Sequence, residues 1–224
     1  MLSKAQQRLL LALQKRKERE NKRMCIIEGE KFVRDARDLV EFSFTPRDTT
    51  IFREVVTTDA PQSMAAVARI PEWTLKDVAK HPIIVMLDGV QDPGNVGTIM
   101  RGCLGFDASL ILVECAEVTN PKTVRASAAA ALRVPYLTAG REEARDLAQE
   151  LGRPIYRLEK KDGAVIPEQV AGKKILLIAG NEGRGIRIEI PGTSVVVPHH
   201  PSLESLNVAV ALGITLYEIC RISP

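Results

Sequence analysis

Five polar residues in three short stretches could carry chemistry: Asn95 and Arg101, Glu182, and Ser205 with Asn207. The first pair lies in Asp92-Pro93-Gly94-Asn95 and the apolar stretch Val96–Phe106 that follows. Asn95 stands where a helix N-cap is expected. Gly97, Arg101 and Gly105 recur at a spacing of four, beside Ile99, Met100, Cys103 and Leu104, so the helix reads as mostly buried. A guanidinium on so apolar a helix needs a partner, because unpaired burial of charge is costly. A phosphate, a carboxylate or a reacting oxygen would serve. The glycines alone read as close helix packing. Gly180-Asn181-Glu182-Gly183-Arg184-Gly185 is neither a dinucleotide fingerprint nor a Walker A loop. Its glycines allow a backbone to approach a ligand closely, and Glu182 can receive a hydroxyl, an amine or a positive charge. In Pro198–Asn207, Ser202 reads as the cap of the last helix, while Ser205 and Asn207 face its start beside the glycine loop. His199-His200 reads as a solvated loop pair.

Three apolar strands must deliver these loops. Ile83–Leu87 leads into the first, Ile175 onward into the second, and Thr193 onward into the third. Polar groups at the carboxyl ends of strands in an α/β sheet are where ligands usually sit, so the three loops read as one site. Between them the spacing predicts a helix over Val96–Phe106, a strand over Ser109–Val113 and a helix over Lys122–Leu132. A further helix (Glu142–Leu151), a strand (Ile155–Leu158) and the final helix Leu203–Ile219 follow. Alternating strand and helix argue for a mostly parallel sheet covered on both faces. Before Pro82 the pattern is less regular. It predicts a helix over Leu2–Lys22, strands at Met24–Ile27, Phe42–Thr45, Val55–Thr57 and Met64–Val67, and helices over Lys31–Val40 and Leu75–Lys80. Residues 1–75 thus read as a small α/β domain and residues 80–224 as the larger one.

The 224 residues are 45% apolar and 26% charged, an ordinary globular composition. The net charge is +3, but residues 1–37 carry 11 Lys/Arg against 5 Asp/Glu. Lys15, Arg16, Lys17, Arg19, Lys22 and Arg23 crowd the end of the first helix, as a phosphate-holding segment would. No stretch approaches the length of a membrane span and Met1–Lys4 opens no signal-peptide pattern, so a cytoplasmic protein is expected. Cys25, Cys103, Cys115 and Cys220 are scattered and read as reduced thiols; they and the three histidines lack metal-ligand spacing.

Taken in order, DPGNVGTIMR, VRASAAAALRVP, LLIAGNEGRGI and VVVPHHPSLESLNVAVALGITLYE resemble the motifs of the SpoU (TrmH-type) RNA ribose methyltransferases of the SPOUT superfamily. The resemblance covers about residues 80–224. KRMCIIEGEKFVRDA is similar to the start of that family's small, ribosomal-protein-like substrate-binding domain. The resemblance implies a carboxyl-terminal trefoil knot, a homodimer, and S-adenosylmethionine as methyl donor to a ribose 2′-hydroxyl. Ribosomal RNA is favoured over tRNA as partner. A non-catalytic RNA-binding protein and a base methyltransferase are the alternatives. By motif position, Asn95, Arg101, Glu182, Ser205 and Asn207 fall on the catalytic set, and Gly180, Val197 and Leu206 where backbone holds the cofactor. The basic residues 15–23 would hold RNA. The chain departs from the pattern at His199 and Pro201, where the family has Met and Gly, and at Ala129, where it has Gly.

Overall fold

The computed structural model describes residues 1–56, 62–159, 170, 172–181 and 183–221. The amino-terminal part holds helices α1 (Lys4–Ala12), α2 (Arg16–Lys22), α3 (Glu30–Asp35) and α4 (Phe52–Val55) and strands β1 (Met24–Glu28), β2 (Val40–Phe44) and β3 (Ala65–Arg69). The strands form an antiparallel sheet in the order β1-β3-β2. One face packs Phe44 and Val67 on Leu10, Leu13 and Phe52. The other packs Cys25, Ile27, Ala66 and Ala68 against Val124 and Leu132 from the second half of the chain.

After α5 (Leu75–Ala79) come β4 (Ile83–Asp88), α6 (Pro93–Gly105), β5 (Ala108–Val113), α7 (Pro121–Ala126) and β6 (Tyr136–Ala139). The chain continues through α8 (Arg141–Leu151), β7 (Ile155–Leu158), β8 (Ile175–Gly180), β9 (Thr193–Val195) and α9 (Val208–Arg221). All six strands are parallel, in the order β6-β5-β4-β8-β7-β9. β4 and β5 are buried along their length, which is why they read as unbroken apolar runs. α6 and α9 cover one face of the sheet, and α8 with Ile186, Ile188 and Ile190 covers the other.

Several elements differ from the sequence expectation. The first helix is two, broken at Leu13–Lys15, with Leu10 and Leu13 both buried. The carbonyls of Leu13 and Gln14, orphaned by that break, accept from Arg19 Nη1 at 3.0 and 2.9 Å. α3 is shorter than the expected Lys31–Val40 helix, and Val40 already begins β2. Phe52–Val55 is a helical turn rather than part of a strand, and Thr57 lies outside the described residues. The helix expected over Lys122–Leu132 stops at Ala126. Ala128 and Ala129 then take left-handed backbone conformations (φ 51° and 64°) before a 3-10 turn at Ala130–Leu132. β6, four residues with no apolar run, was not expected.

Candidate functional site

β4 delivers the first polar loop. Its last residue, Asp88, is 1% exposed. The Asp88 carboxylate accepts the backbone N–H groups of Arg187 (2.5 Å) and Ile188 (2.7 Å) and Nη2 of Arg141 (3.2 Å). One buried acid therefore fixes the end of β4, the start of α8 and the segment after the glycine loop. The DGVQDPGN loop is then braced from β5: Ala116 N donates to the Val90 carbonyl at 2.9 Å, and Gln91 Nε2 donates to the Glu114 carbonyl at 2.5 Å. Asp92, not Asn95, caps α6, with its carboxylate on Gly94 N. The Lys122 ammonium at 2.7 Å and the Gly94 amide hold the Asp92 carboxyl below the usual carboxylate range. Pro93 takes the first helical position, where a missing N–H costs nothing. Gly97 is the close-packing glycine: a Cβ there would sit 2.4 Å from the Thr123 carbonyl of α7. Gly105 meets nothing within 4 Å, so packing does not explain it.

Capping at Asp92 frees Asn95 for another task. Its Oδ1 accepts from Asn207 Nδ2 at 3.0 Å, across 112 residues of sequence. Asn207, not Ser202, caps α9: its Oδ1 accepts from Ala209 N (3.0 Å) and Val210 N (3.3 Å). The last helix therefore starts at Val208, five residues later than expected, and Leu203–Leu206 stay in an open loop. Ser202 instead turns to the ring of His200, with Oγ 2.8 Å from Nδ1. His199 folds onto its own loop, Nδ1 donating to the Val197 carbonyl at 2.8 Å.

Arg101 is exposed, on the solvent side of α6, with no ion pair or side-chain hydrogen bond among the described residues. The expected apolar setting is not there; the buried side of α6 holds Val96, Gly97, Ile99, Met100 and Cys103. Ser205 is exposed as well. Glu182 lies outside the described residues, but its loop does not. Asn181 Oδ1 accepts from Gly183 N (2.9 Å) and Arg184 N (3.2 Å), and its Nδ2 donates to the Gly89 carbonyl at 3.2 Å. Gly180 has no room for a side chain, because a Cβ would lie 2.2 Å from the Gly185 backbone. Its smallness closes the loop on itself.

Val197, Ser205 and Leu206 share a cavity of about 110 Å³ with Leu158, Glu159 and His199. The apolar walls suit a flat heterocycle, and Glu159 suits hydroxyls or a cationic group. Glu159 is itself held in place. Arg157 donates to both its oxygens (3.2 and 3.3 Å), Ser194 Oγ donates at 2.6 Å, and Arg157 also reaches the Ile190 carbonyl at 2.7 Å.

Asp88, Arg157 and Glu159 are thus organising residues that sequence reasoning missed, and Asn181 is one that it quoted within the glycine loop without giving it a role. Of the three missed, Asp88 left a usable signal, an acid ending the run IIVML. The basic amino-terminal group also needs correction. Arg19 is buried, giving Nε and Nη2 to the two Glu117 oxygens at 2.8 Å each and Nη1 to two carbonyls, so it is not available to a phosphate. Arg16 is on Glu20 at 2.7 Å, Lys22 on Glu18 at 3.6 Å and Arg23 on Glu72 at 3.1 Å. Lys15 and Lys17 are exposed and form no ion pair among the described residues.

Among known proteins, a 23S rRNA (guanosine(2553)-2′-O)-methyltransferase of Bacillus subtilis is 30% identical over 232 residues, covering 92% of each chain. A 23S rRNA (adenosine(1067)-2′-O)-methyltransferase of Streptomyces azureus is 30% identical over 76% of this chain and 67% of its own. In structure, an AdoMet-bound rRNA methyltransferase from Sinorhizobium meliloti superposes with a TM-score of 0.86 at 26% identity, over 99% of this chain and 96% of that one. The model of the SpoU rRNA Methylase family matches residues 82–217, the span that holds all three polar loops. By that match and those likenesses, the chain belongs to the SpoU rRNA methylase family.

Proposed function

We propose that this protein transfers a methyl group from S-adenosylmethionine to a ribose 2′-hydroxyl of ribosomal RNA, the class of reaction named for its relatives. The observation that carries the reading is the Asn95–Asn207 hydrogen bond, which joins the first and third polar loops beside the cavity walled by Val197 and Leu206. That cavity's walls fit the cofactor's heterocycle, and Glu159 faces the same space. When bound, the cofactor supplies the methyl electrophile; the chain supplies alignment and charge control. Arg101 is a poor base, since a guanidinium keeps its proton far above neutral pH. Its role is to hold a fixed positive charge at the oxygen that loses its proton. Asn95 and Asn207 hold each other, Glu182 and Ser205 complete the polar set, and the Gly180, Val197 and Leu206 backbones seat the cofactor.

The same reading includes a homodimer. α9 presents Val210, Ile214 and Tyr217 to solvent at i, i+4 and i+7, between 40 and 53% exposed. Covering that stripe with a second copy would bring foreign groups towards Arg101 on the neighbouring α6. It also includes the family's knot. From β8 the chain runs under the α8 face through Ile186, Ile188 and Ile190, pairs as β9 outside β7, and crosses to the α6 face as α9. Lys15 and Lys17 remain as RNA contacts, on an amino-terminal substrate-binding domain of residues 1–75. Ribosomal RNA as substrate puts the protein in the cytoplasm.

The test is transfer of labelled methyl to unmodified ribosomal RNA and, separately, to tRNA. Label is expected in the ribosomal pool, at nucleotides that become resistant to alkaline cleavage, and absent with Arg101→Ala. Label confined to tRNA, or Arg101→Ala at full rate, would overturn the reading.

A further inference from the structure

Above the carboxyl ends of β4, β5 and β8 lies a second opening, of about 450 Å³, separate from the cavity at Val197. Its floor is Asp88 and Arg141, its walls include Gln91 and Asn181, and its rim is Arg184 and Arg187. The charges below the rim are already paired, with the Glu114 carboxylate, which also lines the opening, leaving one negative charge in excess of Arg141. Arg141 gives Nη2 to Asp88 and Nη1 to Glu114, while Asp88 takes two backbone amides besides. Arg141 Nε is buried with no partner. The rim charges are not paired: the Arg184 and Arg187 side chains are exposed and form no ion pair or hydrogen bond among the described residues. Their backbones are nonetheless fixed, Arg184 N on Asn181 Oδ1 and Arg187 N on Asp88 Oδ2. The contrast with Arg16, Arg19, Arg23 and Arg157, each spent on an acid of its own chain, is direct.

We infer that Arg184 and Arg187 seat a phosphodiester of the RNA substrate beside the acceptor nucleotide. Two guanidinium forks on an anchored loop suit a tetrahedral oxyanion. The opening has room for the phosphate and an adjoining sugar. Gln91, in its wall, is four residues from Asn95, so RNA held here is delivered to the loop that carries the proposed site. The inference rests on the ribose-methyltransferase reading. It moves the main RNA grip from the amino-terminal helices to the mouth of the sheet.

The experiment uses the full chain, an unmodified ribosomal RNA fragment and S-adenosylmethionine. The double variant R184Q/R187Q should raise the RNA KM about 10-fold or more. It should also flatten log Kobs against log salt by about 0.7, the value for one single-strand phosphate. Affinity for S-adenosylmethionine, measured by calorimetry without RNA, should stay the same. R184K/R187K should keep the wild-type salt slope, which a collapsed loop would not. Unchanged RNA KM and slope in R184Q/R187Q would overturn the inference. So would a loss of cofactor affinity with RNA binding intact, which would give the arginines to the cofactor's carboxylate. Failure of the underlying reading is distinct: the wild-type protein itself would label no ribosomal RNA.

Discussion

Arg19→Met tests the joint between the two sheets. The Arg19 and Glu117 side chains are 6 and 8% exposed and meet in a two-pronged pair, both N···O distances 2.8 Å. Removing the guanidinium leaves the Glu117 carboxylate buried, with the Thr119 hydroxyl and a long 3.8 Å approach from Arg16 as its remaining polar company. It also strips the donors from the Leu13 and Gln14 carbonyls at the break between α1 and α2. Breaking a buried pair from one side costs roughly 3–5 kcal/mol. At about 2–4 °C per kcal/mol for a chain of this size, the melting temperature should fall by about 6–20 °C. Pairing the change with Glu117→Leu removes the stranded charge and should recover a large part of that loss. Thermal unfolding of wild type, the single and the double variant forms the assay. A single variant within about 1 kcal/mol of wild type would mean that the pair behaves as a screened surface contact, and the argument would fail. A double variant no better than the single would refute the claim that the stranded carboxylate carries the cost.

Four more outcomes follow. Burial pushes the Glu117 carboxyl up, but Arg19 and Thr119 hydrogen bonds and the charges of Arg19 and Arg16 outweigh it and hold it below the ordinary value. A group depressed in the folded state stabilises above its unfolded pKa, about 4.3, and loses that contribution as pH falls through the folded value; the Tm advantage of wild type over Glu117→Gln should shrink on acidification below about 4.3. Asn207→Asp keeps the oxygen that caps α9 but loses the donor to Asn95, so Tm should hold within a few degrees while kcat falls about 10-fold or more; equal activity would remove Asn207 from the site. Ala128→Gly relieves a left-handed alanine, worth roughly 1–2 kcal/mol, against about 0.4–1 kcal/mol of added chain entropy, and should raise Tm slightly; a fall would show that the methyl packs better than its φ suggests. Ile214→Arg should turn the proposed dimer into a monomer in light scattering and lower methyl transfer; the same particle mass for wild type and variant would refute a dimer held through α9.

What was legible in the sequence followed period and polarity. β4, β5 and β8 announced themselves as apolar runs, and the polar residues singled out follow β4 (Asn95, Arg101), β8 (Glu182) and β9 (Ser205, Asn207) in the chain. Helix ends were misread where two caps competed. Asp92 outbids Asn95 because Pro93 and Gly94 follow it, and Asn207 outbids Ser202 because His200 occupies the serine. The amino-terminal arginines looked like one basic face, but their acids lie at Glu20, Glu72 and, from across the molecule, Glu117. No local pattern foretells a partner 98 residues away. Burial of Arg101 was inferred from its neighbours' types; the helix instead turns it outward, with Val96, Gly97, Ile99, Met100 and Cys103 on the buried side.

The Asn95–Asn207 bond sets an order of assembly. Asn95 belongs to the first βα unit of the large sheet, and its partner is made 112 residues later, at the threshold of the last helix. A growing chain could pair β4 with β5 and lay α6 on them while Asn95 still lacks this partner, although the core beneath α6 is completed only by β8 and α9. Completion waits until α9 has docked on α6 and its cap has been pulled into place. The same bond works in reverse: fraying of α9 from its amino-terminal end dismantles the site before it disturbs the sheet. Hydrogen exchange at Ala209 and Val210, whose amides Asn207 holds, therefore reports on the integrity of the site separately from that of the fold.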